Sequence, residues 1–327
     1  MLSAAGMSVV VGGAQDGTVL FAGRRAGRSN MLSRKARITI GSMALLLVLS
    51  GSLMVAITWN ADSGTAIAQG SAVDIADLRD GRNYIDTPVY TEQQDQKILK
   101  LFEGLRVADV SDGMDKVGLA NVALMDPEIH PSWKDTEHYA HRFIGIAVTA
   151  RYVPTNKPSP PPMEKEDFDK WVGMWYGQIS PEPFVPLIRE GTALVLDEAP
   201  NADVGSIGSN NIMGWKLKGC VGVVTDATAR DTDEIATEKI PLYFRRPGRG
   251  IRPGRNEIES VNRPVVCGGV LVMPGDVIVA DGDGVIVVPR KHAREVAEYA
   301  QAVIEGDKAG RRALYERLGL EPDDSLK

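Results

Sequence analysis

The sequence predicts an α/β fold: a single catalytic domain with a mixed sheet, held by its own hydrophobic core. Three observations predict it. Strand-like and helical segments alternate from residue 192 to 244, the pattern of β-α-β units. Short apolar runs separated by Pro-Gly-Asp and Asp-Gly-Asp-Gly turns follow from 271 to 288, the pattern of a β-meander. The 327 residues are 43% hydrophobic and 24% charged, ordinary globular values. That length suits one or two domains and a sizeable core. Glycine is abundant, at 34 residues, but shows no period, which excludes a collagen-like repeat. Two cysteines, Cys220 and Cys267, supply neither a disulfide framework nor a four-cysteine zinc site. A formal charge of −6 argues against a nucleic-acid binder.

Residues 1–68 stand outside that domain. Arg34, Lys35 and Arg37 form a basic leader, an apolar run follows over 38–59, and Ala66-Ile67-Ala68 offers the small-x-small pattern cut by a signal peptidase. The alternative is an uncleaved membrane anchor, since about 20 apolar residues span a bilayer. Ser50, Gly51 and Ser52 interrupt the run and favour cleavage. Either way the expected location is exported, periplasmic or extracellular, and membrane contact arises only if the segment stays uncleaved. Met31 is a better start than Met1, which makes 1–30 a candidate misassigned start. Removing 1–68 takes away six basic and two acidic residues and leaves a net charge of −10. Such a chain is a poor partner for RNA or an anionic membrane.

Residues 69–90 are polar and aperiodic and read as a linker; 91–327 form the domain. Thr91 and Gln94 make a capping box, followed by helical spacing of Ile98, Leu99, Leu101, Phe102 and Leu105. A short helix is expected over 111–118 and a strand over 143–153. A proline-rich loop runs over 154–162, and 164–179 reads as a helix carrying Trp171, Met174, Trp175 and Tyr176. Strands are then expected at 192–197, 220–226 and 241–244, with helices at 209–218 and 230–237. The meander strands are 271–273, 276–280 and 284–288. Two helices, 292–304 and 308–318, close the chain.

The most informative stretch runs from Gly205 to Glu234. Gly205, Gly208, Ser209, Asn210 and Asn211 sit between a strand and a helix. Ser209 or Asn210 can cap that helix, and the glycines let backbone approach a ligand. Free amides and the dipole at such an end attract a carboxylate or phosphate. The following helix and strand return the chain to Arg230 and Asp231 at the same sheet edge. An anion-binding loop, a guanidinium and a hard oxygen ligand for a divalent cation would then converge on one small acid. The plainer alternative is that Arg230, Asp231, Asp233 and Glu234 are a capped, solvated helix start. The loop lacks the Walker lysine and the dinucleotide glycine spacing.

These residues resemble the RraA-like family, which includes 4-hydroxy-4-methyl-2-oxoglutarate aldolases with oxaloacetate decarboxylase activity. The family signature is a glycine, about twenty residues, then Arg-Asp-x-x-Glu/Asp; here Gly208 is followed by Arg230-Asp231-Thr232-Asp233-Glu234. The likeness continues through Val265-Val266-Cys267-Gly268-Gly269-Val270, Pro274-Gly275-Asp276 and the run from Asp281 to Pro289. Upstream, Val110-Ser111-Asp112-Gly113-Met114-Asp115 resembles the first helix and Gly145-Ile146-Ala147-Val148-Thr149 the first core strand. The resemblance covers residues 100–305. It implies a swivelling β/β/α sandwich, assembled as a homotrimer or homohexamer with sites between subunits. It further implies a small 2-oxo acid substrate and Mg²⁺ or Mn²⁺. Arg230 would hold the carboxylate and carbonyl side, Asp231 would bind the metal, and amides from Gly208 through Ser209 and Asn210 to Asn211 would complete the cradle. Two departures stand out. Ser209 replaces the acidic residue common in the family's aldolases, and the aromatic, proline-rich insertion over 154–183 is long.

The expected activity is an exported, metal-dependent carbon–carbon lyase that releases pyruvate by retro-aldol cleavage or decarboxylation. Such chemistry leaves negative charge on a keto oxygen, which a cation and Arg230 would stabilise. A Schiff-base route would need a desolvated lysine, and Lys216 and Lys218 have polar neighbours. Alternatives are a non-catalytic regulatory or binding protein on the same scaffold, as RraA itself inhibits an RNA-degrading enzyme, and a hydrolase or isomerase using the same groups. His138 and His141 with Glu137 form a weak metal pattern. Asp281 and Asp283 read first as a turn, Glu305 as an exposed helix residue, and Cys220 and Cys267 as buried thiols. Trp171, Trp175 and Tyr176 read as core or interface.

Overall fold

The computed structural model describes residues 75–199 and 203–326. The leader, apolar run and cleavage pattern read at 31–68 lie outside the described residues.

Helix α1 (Ile75–Arg79) occupies the stretch read as a linker, and irregular chain follows it to Tyr90. Helix α2 (Glu92–Phe102) starts at the expected capping box. The Thr91 hydroxyl accepts the Gln94 N–H at 3.3 Å, and the Gln94 side chain accepts the Thr91 N–H at 2.8 Å. Helix α3 (Val107–Lys116) begins four residues before the position expected. Two carboxylates explain the early start. Asp109 accepts the Arg106 N–H at 2.9 Å, and Asp281, distant in sequence, accepts the Val107 N–H at 2.9 Å. Helix α4 (Lys165–Met174) carries the insertion and runs into a π turn at Trp175–Ile179. Helices α5 (Ser209–Leu217) and α6 (Thr232–Thr237) flank the candidate site. The two C-terminal helices expected are one, α7 (Ala293–Leu318). Gly306 and Gly310 sit inside it with nothing within 4 Å of a Cβ position, so they cost the helix propensity without breaking it.

Thirteen strands complete the described chain: β1 (His130–Pro131), β2 (Phe143–Pro154), β3 (Thr192–Asp197), β4 (Gly205–Ile207), β5 (Cys220–Thr225), β6 (Thr228–Ala229) and β7 (Leu242–Phe244), then β8 (Arg246–Pro247), β9 (Asn256–Val261), β10 (Val265–Cys267), β11 (Val270–Val272), β12 (Val277–Asp281) and β13 (Gly284–Val288). The main sheet has the order β1-β7-β5-β3-β2-β12-β13, with β9 paired to β2 as well. Strands β2, β3, β5 and β7 run parallel in successive pairs, and the β12–β13 hairpin is antiparallel. The chain before β1 bonds to the far edge: Val287 N–H donates to Ala123 and Met125 N–H to Val285, at 3.0 Å each. Residues 123–131 thereby join the two edges and leave the sheet nearly closed. That mixed α/β architecture agrees with the expected fold class.

Nearly every residue of β3, β5, β12 and β13 is buried, because both faces of the sheet are covered. On one face Phe102, Val110 and Met114 from α2 and α3 meet Val296, Ala300 and Ile304 of α7. On another, Phe184, Ile212, Trp215 and Ile235 pack α5, α6 and the insertion against Leu194, Leu196 and Val223. This second cluster fixes the floor of the candidate site. Three parallel strands, β4-β6-β8, form a separate small sheet beside it.

Candidate functional site

Gly208 and Arg230 are brought together by the small sheet rather than by the large one. Strand β4 pairs in parallel with β6, and the Arg230 N–H donates to the Ile207 carbonyl at 2.8 Å. The β-α-β return therefore ends where the sequence placed it, through a strand too short to be read. Gly205 is needed at this crossing: a Cβ there would lie 2.7 Å from the Arg230 Cβ, so a side chain would displace the arginine.

Gly208 is the N-cap residue of α5, and no side chain of that segment caps the helix. This differs from the cap expected at Ser209 or Asn210, both of which lie inside the first turn. Asp231 supplies the missing acceptor instead, its Oδ2 taking the Ser209 N–H at 3.2 Å. Asp231 holds a left-handed backbone (φ 56°, ψ 38°) at the N-cap of α6, which turns its carboxylate back toward α5. Arg230 Nε lies 3.7 Å from the same oxygen, with the two side chains 38% and 37% exposed. A ligand can therefore reach both. An atom at the Gly208 Cβ position would stand 2.8 Å from Asp231 Oδ2, 3.5 Å from Arg230 Nε and 3.6 Å from Asn211 Oδ1. Gly208, Ser209, Asn211, Arg230 and Asp231 thus lie around one point, whereas Asn210 is exposed on the first turn of α5.

Arg230 and Asn211 also line a cleft of about 460 Å³, together with Tyr176, Glu182 and Arg252. Its size falls in the usual range for a small-molecule site, roughly 300–1,000 Å³. Glu182 organises the far wall. Its carboxylate accepts from Asn211 Nδ2 at 2.5 Å, Trp215 Nε1 at 3.0 Å and Arg252 Nη2 at 2.6 Å. Arg252 is buried and also donates through Nη1 to the Tyr152 hydroxyl at 2.9 Å, which passes its own proton to the Pro181 carbonyl at 2.7 Å. The Arg252 guanidinium lies over the Tyr176 ring, 5.0 Å from its centroid. Behind this wall Glu198 is fully buried. Loss of water pushes its carboxyl up to about 7, against hydrogen bonds from Ser206 at 2.5 Å and Asn256 at 3.4 Å.

Glu182, Arg252 and Tyr176 escaped the sequence reading. Two come from the long insertion and one from the loop before β9, so no spacing motif joins them to Arg230. The length of the insertion next to a ligand-binding loop was the available signal.

The remaining candidates separate. His138 is exposed and its Nδ1 pairs with Asp324 at 3.0 Å, while His141 is buried and its Nδ1 accepts the Asp135 N–H at 3.1 Å. No group of three or more His, Cys, Asp or Glu residues converges for a metal among the described residues. Asp281 accepts the Asp283 N–H at 2.8 Å besides capping α3, so it is structural. Glu305 is exposed beside Lys308, and Lys216 and Lys218 are exposed. Cys220 and Cys267 are buried free thiols. Trp175 is core, donating to the Asn256 carbonyl at 3.0 Å, whereas Tyr176 beside it faces the cleft.

The residues suit a hard cation. Asp231 is one half-exposed carboxylate, its Oδ1 takes no hydrogen bond from the described residues, and the Asn211 carbonyl oxygen is close by. Mg²⁺ is commonly held by one or two carboxylates, with waters and substrate completing the shell.

The 4-hydroxy-4-methyl-2-oxoglutarate aldolase of Thermus thermophilus is 30% identical over 102 residues, covering 30% of this chain and 60% of that protein. An uncharacterized protein of Pseudomonas syringae pv. tomato superposes with a TM-score of 0.52 at 25% identity, over 72% of this chain and 97% of that one. RraAS2 of Streptomyces coelicolor, described as an unusual member of the RNase ES inhibitor RraA protein family, superposes with a TM-score of 0.51 at 22% identity, over 69% and 98% of the two chains. The chain spans between 28% and 65% of the length of six curated relatives that it matches. The family model described as "RraA-like: Aldolase/RraA" matches residues 107–287, more than half of the sequence and the whole Gly208–Arg230–Asp231 constellation. The chain belongs to the RraA-like family.

Proposed function

We propose that the protein is a divalent-metal-dependent lyase that cleaves a 2-oxo acid to pyruvate, by retro-aldol cleavage or decarboxylation. The observation that carries the reading is the convergence of Asp231 Oδ2, Arg230 Nε and Asn211 Oδ1 on the Gly208 position, with Arg230 and Asn211 also lining the cleft. The aldolase name of the Thermus relative supports the reaction class.

Breaking the bond beside the ketone puts negative charge on the keto oxygen, and a lyase must hold that charge in place. Arg230 offers a planar, permanently charged fork to the carboxylate and keto oxygens. The first-turn amides of Asn210 and Asn211, at the positive end of α5, receive the same carboxylate. Asp231 would hold Mg²⁺ or Mn²⁺, with Asn211 Oδ1 beside it. A bound cation of this kind supplies Lewis-acid polarisation of the keto oxygen. Ser209 N–H holds the Asp231 carboxylate through Oδ2 while leaving Oδ1 free. The exported location and a homotrimeric or homohexameric assembly belong to the same proposal, the first resting on the 31–68 pattern.

The test is pyruvate release from oxaloacetate and from 4-hydroxy-2-oxo acids in the presence of Mg²⁺, compared between the natural protein and Asp231→Ala. The reading predicts a loss of about 100-fold or more for the variant. Equal rates would remove Asp231 from the chemistry.

A further inference from the structure

The cleft has two poles, and the lyase chemistry uses only one. The near pole is Arg230, which lines the cleft and is loosely paired at 3.7 Å with Asp231, both side chains more than a third exposed. The far pole is Arg252 with Glu182, tightly paired at 2.6 Å with side chains only 6% and 18% exposed. The positive charge of Arg252 is thus already answered by a carboxylate. Its Nη1 is committed to Tyr152, and its unpartnered Nε is a buried atom beyond a ligand's reach. What Glu182 adds to the far wall is a pair of acceptor oxygens. Because Asn211 Nδ2 donates to Glu182, the amide orientation is fixed and its Oδ1 faces the Gly208 side of the cleft.

We propose that this wall selects 2-oxo acids whose far end carries a hydroxyl group rather than a second carboxylate, with Glu182 as the specificity-determining residue. The proposal rests on the lyase reading of the near pole and names its substrate class. A far carboxylate would meet the Glu182 carboxylate and would find Arg252 already paired with it. Like-charge juxtaposition in a partly desolvated site is strongly unfavourable. A hydroxyl would donate to the Glu182 carboxylate. In the reaction the C3–C4 bond breaks and the C4 hydroxyl loses its proton. C4 leaves as an aldehyde, and C3 takes a proton to give the pyruvate methyl group.

The test compares two five-carbon substrates differing only at C5: 4,5-dihydroxy-2-oxopentanoate, which yields pyruvate and glycolaldehyde, and 4-hydroxy-2-oxoglutarate, which yields pyruvate and glyoxylate. In the natural protein kcat/KM should favour the dihydroxy acid by at least about tenfold. Glu182→Gln leaves Arg252 uncompensated and should lower that preference at least about tenfold. A preference for the diacid, or an unchanged ratio in folded Glu182→Gln, overturns the proposal. Calorimetric binding of 5-hydroxy-2-oxopentanoate and 2-oxoglutarate with Mg²⁺ separates selectivity from catalysis. Tighter binding of the hydroxy acid without pyruvate release from either substrate keeps the selectivity and removes the lyase reading. Equal or tighter binding of 2-oxoglutarate, or no binding of either acid, overturns the selectivity.

Discussion

Gly208→Ala separates the site from the fold. The Gly208 backbone (φ −124°, ψ 167°) is extended and open to alanine, so the substitution brings no dihedral strain. Its new methyl group would lie 2.8 Å from Asp231 Oδ2. Reaching ordinary van der Waals separation, about 3.4 Å, requires the carboxylate to retreat by about 0.6 Å. That retreat lengthens the Ser209 N–H contact from 3.2 Å to as much as about 3.8 Å, beyond hydrogen-bond distance. A hydrogen bond to a charged group is worth about 1.5–3 kcal/mol, and the exposure of Asp231 reduces this to about 1 kcal/mol. For a domain of this size that lowers Tm by roughly 2–4 °C. The site should suffer far more, because misplacement of a positioned group by about 1 Å can cost about 100-fold in rate. Thermal denaturation by circular dichroism and a coupled pyruvate assay read the two effects. Unchanged pyruvate release, or a Tm loss above about 10 °C, would refute the reasoning.

Three further outcomes follow from the same contacts. Arg230→Lys should lower kcat/KM by about 100-fold with little change in Tm, since the side chain is 38% exposed and lysine cannot reproduce the planar fork; steady-state kinetics beside a melting curve checks it. Asp281→Ala should cost about 2–4 kcal/mol in urea unfolding, because it strips an acceptor from two N–H groups, Val107 and Asp283, at a buried site. Glu198 is held at about 7 in the folded chain by burial, above its ordinary 4.5. The folded state therefore binds more protons than the unfolded between those values, and the contribution of Glu198 to stability falls as pH rises through that window. Glu198→Gln should flatten the slope of urea stability between about pH 4.5 and 7 by roughly 3 kcal/mol in total, and an unaltered slope would contradict the assignment.

Local signals were enough for much of the fold. The strands 192–197 and 284–288 coincide with β3 and β13, because continuous apolar runs bounded by turns mark strands covered on both faces. Other elements depend on partners remote in the chain. The start of α3 is set by Asp281, 174 residues away from Val107. Strands β1, β6 and β8 are two residues long and exist only because neighbouring strands align them. The break expected near Gly306 vanished because α7 packs Val296, Ala300 and Ile304 into the core, which outweighs the glycine penalty.

The site divides along the same line. Gly208, Arg230 and Asp231 were legible because one β-α-β return carries all three. Ser209 and Asn210 were placed in the right turn but given a capping role that Asp231 performs. Glu182 and Arg252 meet Asn211 only through the folded insertion, and no linear pattern announces an ion pair between residues 70 positions apart.

The most direct test is calorimetric titration of Mn²⁺ into the protein with and without pyruvate. The account predicts one Mn²⁺ per chain, bound at least about tenfold more tightly when pyruvate is present, and no such binding in folded Asp231→Ala. Equal Mn²⁺ binding in that variant, or an affinity indifferent to pyruvate, would contradict it.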